Sequence, residues 1–108
     1  MVEYSLKLDS IFGSLADPTR RDILRRVSKR QLTVNEVALP YEISLAAVSK
    51  HLRVLENAKL INKRKQGKEH YVSLATGALK DANDYLKFYQ QFMETNLDSL
   101  EEYLKKGN

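Results

Sequence analysis

The 108-residue sequence has no cysteine, two prolines, four glycines and two histidines. Without cysteine there is no disulfide, no thiolate metal site and no redox switch, and a cytosolic (cytoplasmic) home is the simplest reading. No stretch approaches the ~18 consecutive apolar residues of a membrane span, and the opening "MVEYSLKLDS" has neither the basic start and apolar run nor the cleavage site of a secretory signal. So few glycines and prolines leave no room for a long linker, and the length suits one domain spanning residues 1–108. His51 and His70 are distant from each other and cannot supply the three or four converging ligands of a zinc site, so no metal is expected. Ser49 and His51, two apart on one helix, point away from each other and do not make a nucleophile-base pair. With no glycine-rich phosphate loop either, no enzyme activity and no cofactor are expected.

Charge is abundant and unevenly placed. Residues 1–19 hold one Lys against three acids, residues 20–68 hold thirteen Lys/Arg against four acids, and residues 69–108 hold four against seven. A basic middle between acidic ends points to a polyanion partner, with double-stranded DNA the commonest candidate.

Leu8, Ile11, Phe12 and Leu15 recur at helical spacing and predict an amphipathic first helix. Asp17-Pro18 restarts the chain as N-cap and first helical residue, opening a second helix to about Arg30 with Ile23, Leu24 and Val27 inward. Its other faces carry Arg20, Arg21, Arg25, Arg26, Lys29 and Arg30, which either brace neighbouring elements or meet DNA. Thr33 and Glu36 have capping-box spacing and open a short helix in which Pro40 sits late, so its end is expected between Leu39 and Glu42. Ser44 then caps a further helix reaching about Asn57, which completes a helix-turn-helix over residues 33–57. "INKRKQGKEHYVSL" predicts a β-hairpin turning at Gly67, within a wing spanning residues 60–75. The fold class is therefore mainly α with a small β-hairpin, a winged helix-turn-helix.

The helix "SLAAVSKHLRVL" carries the candidate site. At about 100° per residue, Leu52 and Leu55 fall within about 40° of Val48, whereas Ala46, Lys50 and Arg53 fall about 140–200° away. Ser49 and Ala47 lie on the flanks. Small residues near the helix start admit it to a major groove, Lys50 and Arg53 reach base edges or phosphates, Ser49 bonds to either, and the helix N-terminus beyond Ser44 faces phosphate. His51 leans inward, a partly buried ring expected to bond a backbone carbonyl or a phosphate. On the hairpin, Lys63, Arg64, Lys65 and Lys68 serve the phosphates or guard exposed strands from edge pairing.

From Thr76 to about Lys106, apolar residues recur in steps of three or four. About thirty residues at ~1.5 Å each make a rod of about 45 Å, longer than a globule of this size. One chain cannot cover such a stripe. A homodimer through residues 1–16 and 76–106 is expected, with Leu8, Ile11, Phe12, Leu86, Tyr89, Met93, Leu97 and Leu100 at its interface. The aromatic residues Tyr85, Phe88, Tyr89 and Phe92, with Tyr4 and Tyr103, belong to that dimer core or line a small-molecule pocket.

"SLADPTRRDIL", "AAVSKHLRVLENAKLI" and "RKQGKEHYVSL", in this order and spacing, resemble the ArsR family of winged helix-turn-helix repressors along nearly the whole chain. The resemblance implies a dimer joined by first and last helices, a recognition helix at Ser44 to Asn57 and a wing at Ile61 to Leu74; a two-fold dimer of this kind is expected to repress by reading a palindromic operator with half-sites about one helical turn, ~34 Å, apart. Three departures matter. Thr33 and Asn35 stand where arsenic- and metal-sensing members place cysteines. Asp81, Asp84 and Glu94 lie in the last helix without the histidines of zinc-sensing members. Lys59 replaces the usual glycine after the recognition helix, a cost of up to about 1 kcal/mol if that residue is left-handed. The metal-independent subgroup fits best, with the releasing effector unknown. The alternative is an architectural or protein-interaction module of little sequence preference, which an apolar Leu45 at the helix start favours.

Overall fold

Asp17 ends one helical run and begins the next, and this break sets the layout of the whole chain. In the computed structural model, which describes residues 2–106 and side chains from residue 5 onward, eight elements follow one another. They are α1 (Val2–Ser14), α2 (Pro18–Lys29), β1 (Leu32–Thr33), α3 (Val34–Ala38), α4 (Leu45–Asn57), β2 (Ile61–Gln66), β3 (Glu69–Leu74) and α5 (Gly77–Lys106). The Asp17 carboxylate accepts the Arg20 N–H at 3.0 Å, and Pro18 occupies the first turn of α2. Thr33 and Glu36 close the expected capping box on α3. No helix among the described residues is long and apolar enough to cross a membrane.

One expectation fails at Pro40. The helix ends at Ala38, so the proline lies in the turn beyond it and kinks nothing. Leu39 still donates to the Asn35 carbonyl and Tyr41 to the Ala38 carbonyl, both at 3.1 Å, so the chain leaves α3 through donors that flank the proline. The N–H that proline lacks is therefore not required.

The sheet is three-stranded and antiparallel in the order β1-β3-β2, one strand more than the hairpin expected. Leu32 and Thr33 pair with Val72 and Tyr71, and β2 pairs with β3 from Ile61 opposite Leu74 out to Gln66 opposite Glu69. Gly67, at φ 64°, takes the first position of the two-residue turn, while no positive φ occurs at Lys68; this is the preference of a type II′ hairpin. The core gathers Val48, Leu52 and Leu55 of α4 with Ile23, Leu24 and Val27 of α2, Ile11 of α1, Val37 of α3 and Ile61 and Val72 of the sheet. Burying each side chain of this size contributes about 1.5–3 kcal/mol, so α4 is anchored by its whole inner face.

Three arginines tie the helices around α4. Arg20 donates from Nε to the Ser14 carbonyl at 2.7 Å and lies 3.3 Å from His51 Nδ1, joining the end of α1 to α4 through the start of α2. Arg21 donates to the Leu15 carbonyl at 2.8 Å. Arg26 donates to the Glu36 carbonyl at 2.7 Å and the Val37 carbonyl at 2.8 Å, satisfying carbonyls of α3 that a five-residue helix cannot pair itself. Its guanidinium also lies 5.4 Å from the Tyr41 ring centroid, and the Tyr41 hydroxyl donates to Asp22 at 2.5 Å. The Tyr41 and Arg25 hydrogen bonds hold the Asp22 carboxyl below the ordinary carboxylate range. Burial, then the bond to Asp22, pushes the Tyr41 phenol up.

At its far end α4 closes in a Schellman motif: the Leu60 N–H bonds the Leu55 carbonyl and the Lys59 N–H bonds the Glu56 carbonyl, both at 3.0 Å. The motif demands a left-handed residue, and Lys59 supplies it at φ 62°, the one positive φ outside glycine among the described residues. Leu55 and Leu60, the pair that packs across such a cap, are both fully buried. The chain accepts a strained lysine because its two neighbours are locked in the core.

From α5 only Ala78 and Ala82 are buried. The rest runs out from the globule, giving a radius of gyration of 18.6 Å against about 13 Å for a compact chain of this length, and a longest dimension of 66 Å.

Two outcomes are expected from this architecture. Lys59→Gly relieves the left-handed strain and raises stability by about 0.5–1 kcal/mol, read as a melting point several degrees higher; an unchanged or lower melting point contradicts the strain. Asp17, Asp22 and Glu36 are all held below their usual pKa, Asp17 and Glu36 chiefly by backbone N–H groups. Carboxyls lowered in the folded state contribute stability above their unfolded pKa of about 4, and that contribution is lost as pH falls through the lower folded values. Melting temperature should therefore fall on acidification below about pH 4.5, and less steeply in Asp22→Asn; a melting point that rises with acid would refute the assignment.

Candidate nucleic-acid interface

The inner face of α4 is consumed by the core, which leaves its outer face as a fixed platform. Ser44, Leu45, Ala46, Lys50 and Arg53 are exposed there, with Ala47, Ser49 and His51 half-buried at its borders. The angular separation expected from the sequence is thus reproduced, since Val48, Leu52 and Leu55 are at most 1% exposed. The Ser44 hydroxyl accepts the Ala47 N–H at 3.1 Å, and the Ser44 carbonyl accepts the Val48 N–H. The N–H groups of Leu45 and Ala46 then remain as the forward-facing donors of the helix start.

His51 is half-buried, as expected, and its side-chain partner within the chain is a guanidinium. Its Nδ1 faces the Arg20 guanidinium at 3.3 Å instead of a backbone carbonyl. A guanidinium only donates, so in a hydrogen bond between the two Nδ1 is the acceptor. The ring is therefore held from behind by α2, with Nε2 left for any further contact.

The cations of the basic middle divide into two groups. All five arginines of α2 and its C-cap have partners within the chain: Arg20, Arg21 and Arg26 on backbone carbonyls, Arg25 on Asp22, and Arg30 on Glu36. Among the described residues, the side chains of Lys29 at the end of α2, Lys50 and Arg53 of α4, Lys59 in the cap of α4 and Lys63, Lys65 and Lys68 of the wing have no ion pair and no hydrogen bond. Arg64 makes only a long contact, 3.4 Å, to Gln66. Arg20, Arg21 and Arg26, held on backbone carbonyls, are poor recruits for a phosphate because each contact would first have to be given up, whereas Arg25 and Arg30 sit in exposed ion pairs that cost little to break. The unpaired ones are ready.

The strand register separates the wing cations further. Cross-strand partners share a face, so Lys63 opposite Val72 and Lys65 opposite His70 continue the face that begins in the core at Ile61 and Leu74, while Arg64 opposite Tyr71 lies on the other. Lys68 sits in the turn. Four consecutive-looking cations are thus not one patch. Strand residues from Asn62 to His70 are all exposed, so the tip stands clear of the globule.

The residues expected at a dimer surface also divide. Leu8 and Ile11 are buried inside their own chain and retain little surface for a partner, and Phe12 is half-buried against Tyr85 with ring centroids 5.9 Å apart. Leu86, Tyr89, Met93, Leu97 and Leu100 are 48–60% exposed along one side of α5. Tyr85, Tyr89 and Phe88 form a chain of ring contacts at 5.4 and 5.3 Å, and the two tyrosine hydroxyls lie 3.2 Å apart. The cleft between α1, the end of α4 and the start of α5 is lined by Leu6, Ile11, Ala58 and Ala78 and by none of these aromatics. The side chain of Tyr4 lies outside the described residues. Tyr41 and the Arg20 to His51 contact were not foreseen; both join residues 19 or more apart, which no local pattern signals.

Comparison with known proteins agrees with this geometry. Residues 15–64 match a helix-turn-helix domain family. The chain is 32% identical over 79 residues to the transcriptional repressor SdpR of Bacillus subtilis, a match covering 73% of this chain and 88% of that protein. It is 37% identical over 82 residues to the HTH-type transcriptional regulator Rv2034 of Mycobacterium tuberculosis, covering 75% and 77%. The crystal structure of an ArsR family transcriptional regulator superposes with a TM-score of 0.77 at 33% identity, over 83% of this chain and 93% of that one. By sequence and fold together, the chain belongs to the ArsR family of DNA-binding winged helix-turn-helix transcriptional regulators and is not an enzyme.

Proposed function

We propose that two copies of this chain, joined through residues 1–16 and 76–106, bind a palindromic operator and repress transcription without a metal effector. The observation that carries this reading is the distribution of charge: Arg20, Arg21 and Arg26 are held on backbone carbonyls, whereas five of the seven unpaired cationic side chains of residues 20–68, namely Lys50, Arg53, Lys63, Lys65 and Lys68, lie on the outer face of α4 and on the wing, Lys29 and Lys59 being the other two. In this reading Ser44, Ala46, Ala47, Ser49, Lys50 and Arg53 enter the major groove, with His51 Nε2 at its edge. Lys63, Lys65 and Lys68 follow the phosphates, joined by Arg64 from the opposite face. Half-sites then lie one helical turn, about 34 Å, apart.

Metal independence is supported by the residues themselves. The hydroxyl of Thr33, at a position where metal-sensing relatives are expected to carry cysteine, is engaged as the cap of α3 at 3.1 Å. Asp81, Asp84 and Glu94 have no histidine beside them in α5.

The apolar stripe of α5 supports the dimer. A patch of this length on a free rod is the kind of surface that a second copy covers, and a two-fold axis would place both α4 helices on one face of the duplex. The architectural alternative draws on Leu45, 54% exposed where a base-reading polar side chain would stand.

Selection of bound fragments from random duplexes separates the two readings: one enriched palindrome is expected, and no enrichment would favour the architectural module. If each protomer neutralises about four phosphates, log affinity falls against log salt with a slope of roughly −7, and a flat dependence is incompatible with phosphate anchoring. Lys50→Ala and Arg53→Ala should relax base preference, whereas Lys65→Ala should weaken all sequences alike; the reverse pattern would exchange the roles of helix and wing. In sedimentation at micromolar concentration the protein should be a dimer and Leu97→Glu a folded monomer with weakened DNA binding; a native monomer would remove the two-fold model.

A further inference from the structure

The first turn of α4 offers a single side chain able to hydrogen-bond a base, the Ser44 hydroxyl, whose O–H stays free to donate while its oxygen accepts. Ser44 uses its hydroxyl oxygen on the Ala47 N–H. The next three side chains are Leu45, Ala46 and Ala47, and the first polar one beyond them is Ser49. An isolated exposed leucine is ordinary on a protein surface. Leu45 is placed less ordinarily: it is exposed at the start of the helix and lies one helical turn before Ser49 on the same flank, about 80° from Arg53 and about 140° from Lys50. It is 54% exposed, so a large part of its side chain is free to meet a partner.

Base pairs present acceptors and donors to the major groove and a single apolar group, the 5-methyl of thymine. A leucine pressed against a guanine or cytosine edge would strip water from polar atoms and return no hydrogen bond, which is unfavourable. Against a thymine methyl it buries apolar surface on both sides. We propose that Leu45, with Ala46 beside it, is a specificity-determining residue that reads a thymine 5-methyl group in each half-site. This rests on the DNA-reading function proposed above. It also changes the meaning of Leu45, from a sign of weak sequence preference to a source of it.

Deoxyuridine tests this directly, because it keeps the hydrogen-bonding groups of thymine and lacks only the methyl. In the palindrome recovered from random duplexes, each thymine is replaced singly and affinity is measured for the wild type and Leu45→Ala. One position per half-site should lose about fourfold in affinity for the missing methyl. Leu45→Ala should bind the thymine duplex about as weakly as the wild type binds the deoxyuridine duplex, and should not distinguish the two. Because Leu45 is exposed, the variant should keep its helical spectrum and melting point. The inference is overturned if no thymine is sensitive, or if Leu45→Ala remains sensitive at the same position. A sharply bent duplex with no methyl dependence also overturns it, since the leucine would then act as a wedge between bases. Should random duplexes yield no enriched sequence, the DNA-reading function itself fails; an enriched palindrome indifferent to demethylation removes this inference alone.

Discussion

Everything the protein presents to a duplex depends on how firmly α4 is held from behind. Val48, Leu52 and Leu55 are buried to the last few square ångströms, and their neighbours come from α1, α2, α3 and the sheet. A helix packed on that many elements cannot roll without opening the core. Its outer residues are therefore fixed in direction by the apolar contacts of its inner ones. Arg20 and Arg26 extend the same principle to the ends: one ties α1 and α2 to His51, and the other holds the turn that delivers Ser44. The polar outer face needs no internal partner, and this is why it can take an external one.

Much of this arrangement was legible in the residues because it is local. Helix caps at Asp17, Thr33 and Ser44 use side-chain oxygens that reach three residues along the chain, and such reach is visible as spacing. Gly67 and the two flanking strands announce a hairpin for the same reason. What escaped was short or long-range. Strand β1 is two residues long, and Thr33 also serves as a helix cap, so no alternating pattern could reveal it. The contacts from Arg26 to Tyr41 and from Arg20 to His51 span 15 and 31 residues. Composition showed a basic middle, but which cations are internally paired emerges only when α2, α3 and α4 are folded together. Pro40 misled because its preference for ending helices was real while the helix had already stopped.

Lys59 and α5 show a fold tolerating local cost under a larger constraint. A left-handed lysine persists because Leu55 and Leu60 on either side of the cap are sealed in the core. The second half of α5, by contrast, is exposed and packs on no other element among the described residues, although its apolar residues keep a regular stripe from Leu86 to Leu104. Amphipathic order without a buried side is intelligible as one half of a contact. In the proposed dimer, the same rod would be the spacer that sets the distance between two α4 helices.

That distance is the central claim, and a hydroxyl-radical footprint on the selected operator measures it most directly. The account predicts two equal protected segments on one face of the duplex, centred about one helical turn apart. A single protected segment, or two on opposite faces, would contradict it.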